Sequence, residues 1–220
     1  MPDALPLTVA DHPLLQLGVF VARFPEPLAA LETPAWLSAG FALEFDEAPL
    51  PSADDTTRKA VRDLLRHGGF RPSGRSKPAS EFLLGAASKA ALGSINLAVD
   101  LCNVVSLHSG LPISVVDLDL ISAPLRVDIA GPDSSYVFNP SGQEMRLDGL
   151  VCLHDAAGPC ANPVKDSQRS KTHANTRATL CVVWGCTALS ARVRAVLEWY
   201  RLLHARVGAE TLCSGPLGLV

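Results

Sequence analysis

The sequence lacks several features that would assign the protein to a common class. Only 19% of its 220 residues are charged, and no apolar run approaches the roughly 18 residues that a membrane-spanning helix requires. The start of the chain, MPDALPLTV, has no basic segment ahead of an apolar core, so it does not predict a secretory signal. A hydrophobic content of 48% excludes intrinsic disorder. These absences predict a compact, cytoplasmic, single-domain protein without a membrane partner.

Motifs that bind phosphate or metal, or that present a nucleophile, are also missing. The chain contains no GxxxxGK[ST] or GxGxxG loop, no GxSxG elbow, no HExxH motif and no EF-hand loop. Its six cysteines include no CxxC pair. Cys152, His154, Cys160 and His173 do not have the spacing of a structural zinc site. We therefore predict no metal site and no cofactor.

Acidic and basic residues are unevenly distributed along the chain. The formal net charge of −3 by itself argues against a nucleic-acid partner. Residues 1–55 hold nine acids and one base, whereas residues 56–220 carry a net charge of +5, with basic residues concentrated in 58–77 and 165–177. We expect an acidic N-terminal portion, 1–55, packed on the same domain as a basic portion, 56–220. Taken by itself, each basic segment is more often an ordinary solvated surface than a binding site.

The hydrophobic pattern predicts an α+β fold, a single mixed-sheet domain with flanking helices. The element order is not the regular βαβ alternation of a doubly wound sheet. Strands are predicted at 14–24 and 124–131, in SYVFN, GLVCLHD and CANPVKD, and, as a central strand, in TLCVVWG. Helices are predicted from an N-cap at Thr56 or Thr57 to Gly68, and over 80–92, 95–108 and 190–207.

The helix predicted over 95–108 carries three short polar side chains on one face. Asn96, Asp100 and Asn103 follow one another at i, i+4 and i+7. Asn and Asp are poor helix formers, so their alignment in an apolar stretch indicates a hydrogen-bonding stripe. The stripe either contacts a ligand or holds a neighbouring loop by accepting its backbone N–H groups.

The segment 163–177, PVKDSQRSKTHANTR, is a polar loop between two predicted strands. Loops on a rigid sheet often carry function, and they are also often merely solvated. This one offers donors for an anionic group and a candidate acid or base. The residues in question are Lys165, Asp166, Ser167, Lys171, Thr172, His173 and Thr176.

The central segment 93–131, GSINLAVDLCNVVSLHSGLPISVVDLDLISAPLRVDIAG, resembles a known signature. It is similar to that of the B3/B4 domain, the editing module of the phenylalanyl-tRNA synthetase β subunit. The matching positions are Asn96, Val99, Asp100, Asn103, Ser106, Leu107, Gly110, Leu111, Pro112, Asp117, Leu118, Asp119 and Arg126. Free-standing members of the family are similar also at Arg71, Pro72, Ser73, Ser80 and Glu81, and in the loop KTHANT. The resemblance covers about residues 58–185.

The resemblance implies a stand-alone tRNA-editing-type domain. Such a domain binds the aminoacylated 3′ end of tRNA and hydrolyses a mischarged aminoacyl ester, which requires a held water, donors for the oxyanion and a basic surface. It implies His173, Asp166 and Lys171 as catalytic residues. The implied substrate-binding residues are Asn96, Asp100, Asn103, Ser114, Arg126, Thr172 and Thr176, and the implied RNA-binding residues are Arg71, Arg75, Lys77, Lys165 and Arg169.

Two departures from the synthetase pattern keep a second hypothesis open. Ser114 stands where the synthetase usually has a histidine, and Cys102 where it usually has a threonine. The alternative is a non-catalytic module that binds RNA, an amino acid or another small metabolite. In either case the chain has no room for an aminoacylation domain, so we do not expect a complete synthetase.

Overall fold

The computed structural model describes residues 6–212. They form an α+β fold of five helices and ten strands, with short 3-10 turns between them. The helices are α1 (Ala35–Ala39), α2 (Asp55–Arg66), α3 (Ala79–Ala87), α4 (Leu97–Ser109) and α5 (Ser190–Arg206). The strands are β1 (Leu7–Val9), β2 (Leu15–Arg23), β3 (Ile113–Asp117), β4 (Leu125–Ile129), β5 (Ser135–Val137), β6 (Glu144–Arg146), β7 (Val151–Asp155), β8 (Gly158–Ala161), β9 (Ala178–Cys186) and β10 (Glu210–Leu212).

Two four-stranded sheets and a small hairpin organise these strands. The first sheet is antiparallel, with the order β10-β2-β9-β3. The second sheet has the order β1-β4-β7-β8 and is mixed, because β1 runs parallel to β4 while the other neighbours are antiparallel. Strands β5 and β6 form the hairpin. The expected mixed sheet with flanking helices is therefore present.

Strand β9 lies in the interior of the first sheet and is buried along its whole length. Its continuous apolar run fits a strand that is covered on both faces. Helix α5 packs on β2 and β9, and α4 packs on β3. The largest fully buried side chains include Trp184 on β9 and Tyr200 on α5. The core therefore lies between the first sheet and its helices and continues to buried side chains of the second sheet, such as Val127 and Leu153.

The N-terminal portion contributes an inner strand to the first sheet. Strand β2 pairs with β9 over all nine of its residues, from Leu15 opposite Cys186 to Arg23 opposite Ala178. Its other edge pairs with β10, near the end of the described chain. The predicted strand 14–24 is confirmed, and the predicted central strand TLCVVWG corresponds to β9.

Three predicted helix boundaries differ from the structure for local reasons. Helix α2 is capped by Asp54, not by Thr56 or Thr57, since the Asp54 carboxylate accepts the Thr57 N–H at 2.8 Å. Helix α3 ends at Ala87 instead of continuing to 92, because the chain turns through Ala90 at a φ of 50°. In α4, Asn96 is the N-cap and accepts the Val99 N–H at 3.1 Å. Asn96 therefore precedes the helical face on which it was expected.

Within residues 6–212, no helix combines the length and the apolar character that a bilayer crossing requires.

Candidate functional site

A cavity of about 560 Å³ lies between α3, α4, β3 and the loop that joins β8 to β9. Its walls are largely apolar, with Phe82, Leu92, Val99, Ile113 and Phe138 among the lining residues. Six of the residues implied by the resemblance line the same cavity. They are Asn103, Asp166, Lys171, Arg75, Lys77 and Lys165.

The loop from β8 to β9 is fixed to the protein by its own polar side chains. The Asn162 Oδ1 accepts the backbone N–H groups of Val164 and Lys165 at 2.7 and 2.9 Å, which turns the chain. Further along, Lys171 forms an antiparallel bridge with Val116 on β3. The loop thus continues the edge of the first sheet and brings Lys165, Asp166 and Lys171 to the cavity.

Asp166 is a partly buried carboxylate at the wall of this cavity. Its Oδ1 accepts the Ser114 hydroxyl at 2.7 Å and the Asn162 backbone N–H at 3.3 Å. Burial raises the pKa of Asp166 to about 6, although these hydrogen bonds and the Lys171 ammonium favour the charged form. A carboxylate with such a pKa can exchange a proton near neutral pH.

Two ammonium groups line the same cavity as this carboxylate. Lys171 donates to the backbone carbonyl of Phe138, which leaves two of its three N–H donors for other partners. Burial lowers the pKa of Lys171, and the negative charge of Asp166 opposes that change. Lys165 lies 4.1 Å from the centroid of the Phe138 ring, and burial together with Arg75 and Lys171 lowers its pKa. Burial is the largest cause of both shifts, so both ammonium groups are partly removed from solvent.

Asn103 projects from the second turn of α4 into the cavity. Within residues 6–212 its side-chain amide has no hydrogen-bond partner of adequate geometry, although the residue is only partly exposed. The amide atoms are not buried, so they are in contact with solvent in the cavity. This amide is therefore free to bind a ligand with both its donor and its acceptor.

The mouth of the cavity combines cations with exposed apolar side chains. Phe82 is 61% exposed and Ile95 is 69% exposed. Arg75 is exposed beside them, and Lys77 Nζ lies 6.0 Å from the centroid of the Phe82 ring. Apart from Asp166, the cavity lining contains no acidic side chain. The mouth is suited to an anionic group attached to a flat or apolar one.

Asp100 and Asn96 lie outside this lining and bind protein groups. The fully buried Asp100 carboxylate accepts the hydroxyls of Thr33 and Ser94 and the Ile95 N–H. Asn96 caps α4 and donates its amide to Thr172 Oγ1 at 3.1 Å. These contacts match the second interpretation of the polar stripe, in which it holds a neighbouring loop.

His173 and Thr176 belong to a separate cluster around Asp117, the last residue of β3. The Thr176 hydroxyl donates to the buried Asp117 carboxylate and accepts the His173 backbone N–H. In the His173 ring, Nε2 lies 3.2 Å from Asp117 Oδ2, and Nδ1 accepts the Asn175 N–H at 3.2 Å. Both ring nitrogens thus face protein atoms. His173 and Asn96 line a neighbouring hollow of about 640 Å³.

Three arginines implied by the resemblance are also outside the cavity lining. Arg126 on β4 pairs with Asp128 at 2.6 Å on the surface. Arg169 forms two hydrogen bonds with the buried Asp155 carboxylate, at 2.9 and 2.7 Å. Arg71 is exposed on the approach to α3.

Ser114 is fully buried on β3 and lies behind the cavity wall. Besides bonding Asp166, its oxygen accepts the indole N–H of Trp184 at 2.9 Å. Sequence reasoning did not identify Trp184, because it is part of the apolar run of β9. It also did not identify Phe82 or Phe138; Phe82 has a signal, an aromatic ring shortly after the basic segment 58–77, and Phe138 has none.

No group of three or more His, Cys, Asp or Glu side chains in the described part of the chain could hold a metal ion. The cavity instead offers a carboxylate, an amide and ammonium donors. That set can position a water, transfer a proton and stabilise negative charge.

Comparisons with known proteins identify the family. A sequence model described as the B3/4 domain matches residues 73–195. Among solved structures, an N-terminal fragment of the phenylalanyl-tRNA synthetase β subunit from Pyrococcus horikoshii has 17% identity and a TM-score of 0.45. The match covers 52% of this chain and 41% of that fragment, so the chain spans less than half the fragment's length. Comparison with curated proteins gives no match. Because the family model covers more than half of the chain, including α4 and the loop that bears Asp166 and Lys171, the protein belongs to the B3/4 domain family.

Proposed function

We propose that this protein binds the aminoacylated 3′ end of tRNA and hydrolyses a mischarged aminoacyl ester. The observation that carries the proposal is the meeting of Asn103, Asp166 and Lys171 in one cavity whose mouth is cationic. Membership of the B3/4 domain family supports a tRNA partner. The apolar walls suit an amino-acid side chain, and the rim suits phosphate.

The chemistry follows from the three polar groups. Ionised Asp166 takes a proton from a water as the water oxygen bonds to the ester carbonyl carbon. The Lys171 ammonium and the Asn103 amide N–H stabilise the negative charge that develops on the carbonyl oxygen. The bond between that carbon and the ribose oxygen then breaks, and Asp166 returns the proton to the ribose oxygen. The products are a free amino acid and a deacylated tRNA, without a covalent intermediate.

A deacylation screen tests this proposal. Purified protein in excess is mixed with tRNAs carrying the wrong amino acid, including tyrosyl and seryl esters, and ester loss is followed in a single turnover. At least one ester should disappear faster than in buffer alone, and Asp166→Asn should lower that rate about 100-fold or more. Asp63→Asn, which changes an exposed carboxylate on α2, is the matched control and should leave the rate unchanged. Stability of every ester at high protein concentration would refute hydrolysis.

The same samples distinguish the non-catalytic alternative. Binding of tRNA that weakens steeply with salt, with no ester loss, would indicate an RNA-binding module. Binding of a free amino acid that is insensitive to salt would indicate a small-molecule site. The buried position of Ser114, where the synthetase usually has a histidine, is the observation that favours testing this alternative.

A further inference from the structure

A chain of two hydrogen bonds runs from Trp184 through Ser114 to Asp166, and its donors and acceptors are fixed by chemistry. The Trp184 indole nitrogen is a donor only, and it lies 2.9 Å from Ser114 Oγ. Ser114 must therefore accept this bond and has a single hydrogen left to donate. The candidate acceptors are Asp166 Oδ1 at 2.7 Å and the Asn162 carbonyl at 3.2 Å. The shorter contact ends on the group that carries charge, so it is the stronger bond.

The hydrogen bonds donated by Ser114 and by the Asn162 N–H both end on the same oxygen of Asp166. Neither of them ends on Oδ2. Trp184 and Ser114 are both fully buried, so neither can reach a ligand in the cavity. Their hydrogen bonds reach the cavity lining at Asp166, because Asn162, the other group that Ser114 contacts, does not line the cavity.

We propose that Trp184 and Ser114 are positioning residues, which hold Oδ1 of Asp166 against the protein and leave Oδ2 to face the ligand. This inference gives Ser114 a role different from the direct substrate contact implied by the resemblance. Its catalytic meaning rests on the proposed function, whereas the orientation of Asp166 does not. A carboxylate held by one oxygen can accept a proton from a water, or bind an ammonium group, with the other.

The groups around Asp166 determine how its titration is to be interpreted. Lys171 is the facing cation, and the peptide group of Val115 also favours the ionised carboxylate. Four other titratable groups are close enough to interact with Asp166, and burial raises the pKa of each. They are Cys102, Tyr136, Cys152 and Cys160. These four groups stay neutral near pH 6, so they do not titrate together with Asp166. The Ser114 hydroxyl, at 2.7 Å, is closer to the carboxylate than the Asn162 N–H, at 3.3 Å, and both favour the ionised form.

The test is a carbon NMR titration of Asp166 in protein labelled at the aspartate carboxyl carbons. Asp166→Asn identifies the resonance, because that signal disappears. Ser114→Ala removes the donor and should move the titration midpoint up by about one pH unit. Trp184→Phe removes only the donor to Ser114 and should move the midpoint in the same direction by a smaller amount. Ser114→Thr keeps a hydroxyl and should restore a midpoint close to that of the natural protein.

The controls make each outcome informative. Thermal unfolding establishes that each variant is folded, and Trp184→Phe supplies the test if Ser114→Ala does not fold. An unchanged or lowered Asp166 midpoint in folded Ser114→Ala or Trp184→Phe would contradict the positioning role of these two residues. If the deacylation screen succeeds, the acid limb of the kcat/KM profile should move by the same amount as the NMR midpoint. If the screen shows no hydrolysis while the midpoint moves, the proposed function is refuted but the positioning of Asp166 by Ser114 and Trp184 is supported.

Discussion

Four aspartates illustrate how the surroundings of a carboxylate decide what it can do here. Asp100 and Asp155 are buried, and each has three or more donors from the protein. Asp117 receives the Thr176 hydroxyl, the Asp119 N–H and the contact with His173. Among the four, Asp166 is the one that lines the cavity of about 560 Å³, and burial raises its pKa to about 6. A carboxylate saturated by protein donors stabilises the fold, whereas one that faces a cavity can act on a ligand.

The raised pKa of Asp166 predicts how stability depends on pH. The folded protein binds this proton more tightly than the unfolded chain, because the pKa rises from 3.8 to about 6 on folding. The free energy of unfolding should therefore fall, through this group, as pH increases from about 4 to about 6. Asp166→Asn removes the dependence, while its amide oxygen can still accept the Ser114 and Asn162 donors.

Urea denaturation at pH 4.5 and 7.5 measures this effect. The free energy of unfolding of Asp166→Asn, relative to that of the natural protein, should be higher at pH 7.5 than at pH 4.5 by about 1 to 3 kcal/mol. Asp63→Asn is the control, since the hydrogen bond from Lys59 lowers the pKa of Asp63 and the sign is opposite. Parallel stability curves for Asp166→Asn and the natural protein would contradict the prediction.

At the scale of elements, the cavity depends on close packing of the first sheet against its helices. The helical spacing of apolar residues predicted α5. Val193, Val196 and Tyr200, which belong to that apolar face, are fully buried. The polar loop between β8 and β9 was identified from its composition. Its conformation could not be deduced, because Lys171 is held by a bridge to Val116 on β3, which is distant from Lys171 in sequence.

Gly185 on β9 provides a test of this packing. A Cβ atom at this position would collide with Val193 on α5 and lie 2.7 Å from the backbone carbonyl of Gln16. Gly185→Ala should therefore lower the free energy of unfolding by about 1 to 3 kcal/mol. Gly131→Ala is the matched control, because a Cβ atom there meets nothing within 4 Å. Chemical denaturation of both variants measures the difference, and equal stabilities would show that α5 can move away from the sheet.

At the scale of the whole molecule, the structure shows where the basic residues of the sequence lie. Arg75, Lys77 and Lys165 come from two separate basic segments and line one cavity. The acidic N-terminal portion contributes β2 to the middle of the first sheet. A net charge of −3 therefore conceals a local concentration of positive charge. Because a ligand responds to the local field, the net charge does not decide whether this cavity attracts an anion.

The cationic mouth predicts a salt dependence for tRNA binding. The double variant Arg75→Ala, Lys77→Ala should weaken binding of unacylated tRNA and reduce the slope of log K against log salt by about 2, roughly 1 for each phosphate that the variant no longer neutralises. Lys59→Ala is the control, because this lysine pairs with Asp63 on α2 and is not part of the cavity lining. Filter binding across a series of salt concentrations measures the slope. An unchanged slope would place the phosphate-binding residues elsewhere on the surface.

The sequence by itself determined the α+β class, the buried central strand, the main helices and the resemblance to the B3/B4 domain. The strand and helices follow from patterns between near neighbours, since burial repeats with the period of a helix or strand. The resemblance rests on the motif residues of segment 93–131. Only the tertiary structure decided that Asn103 faces the cavity while Asp100 holds a loop. It also decided that Lys171 and Asp166 meet there while His173 and Arg126 lie elsewhere. Contacts between segments far apart in the chain decide which polar side chains bind protein groups and which face a cavity. Local sequence patterns do not predict those contacts.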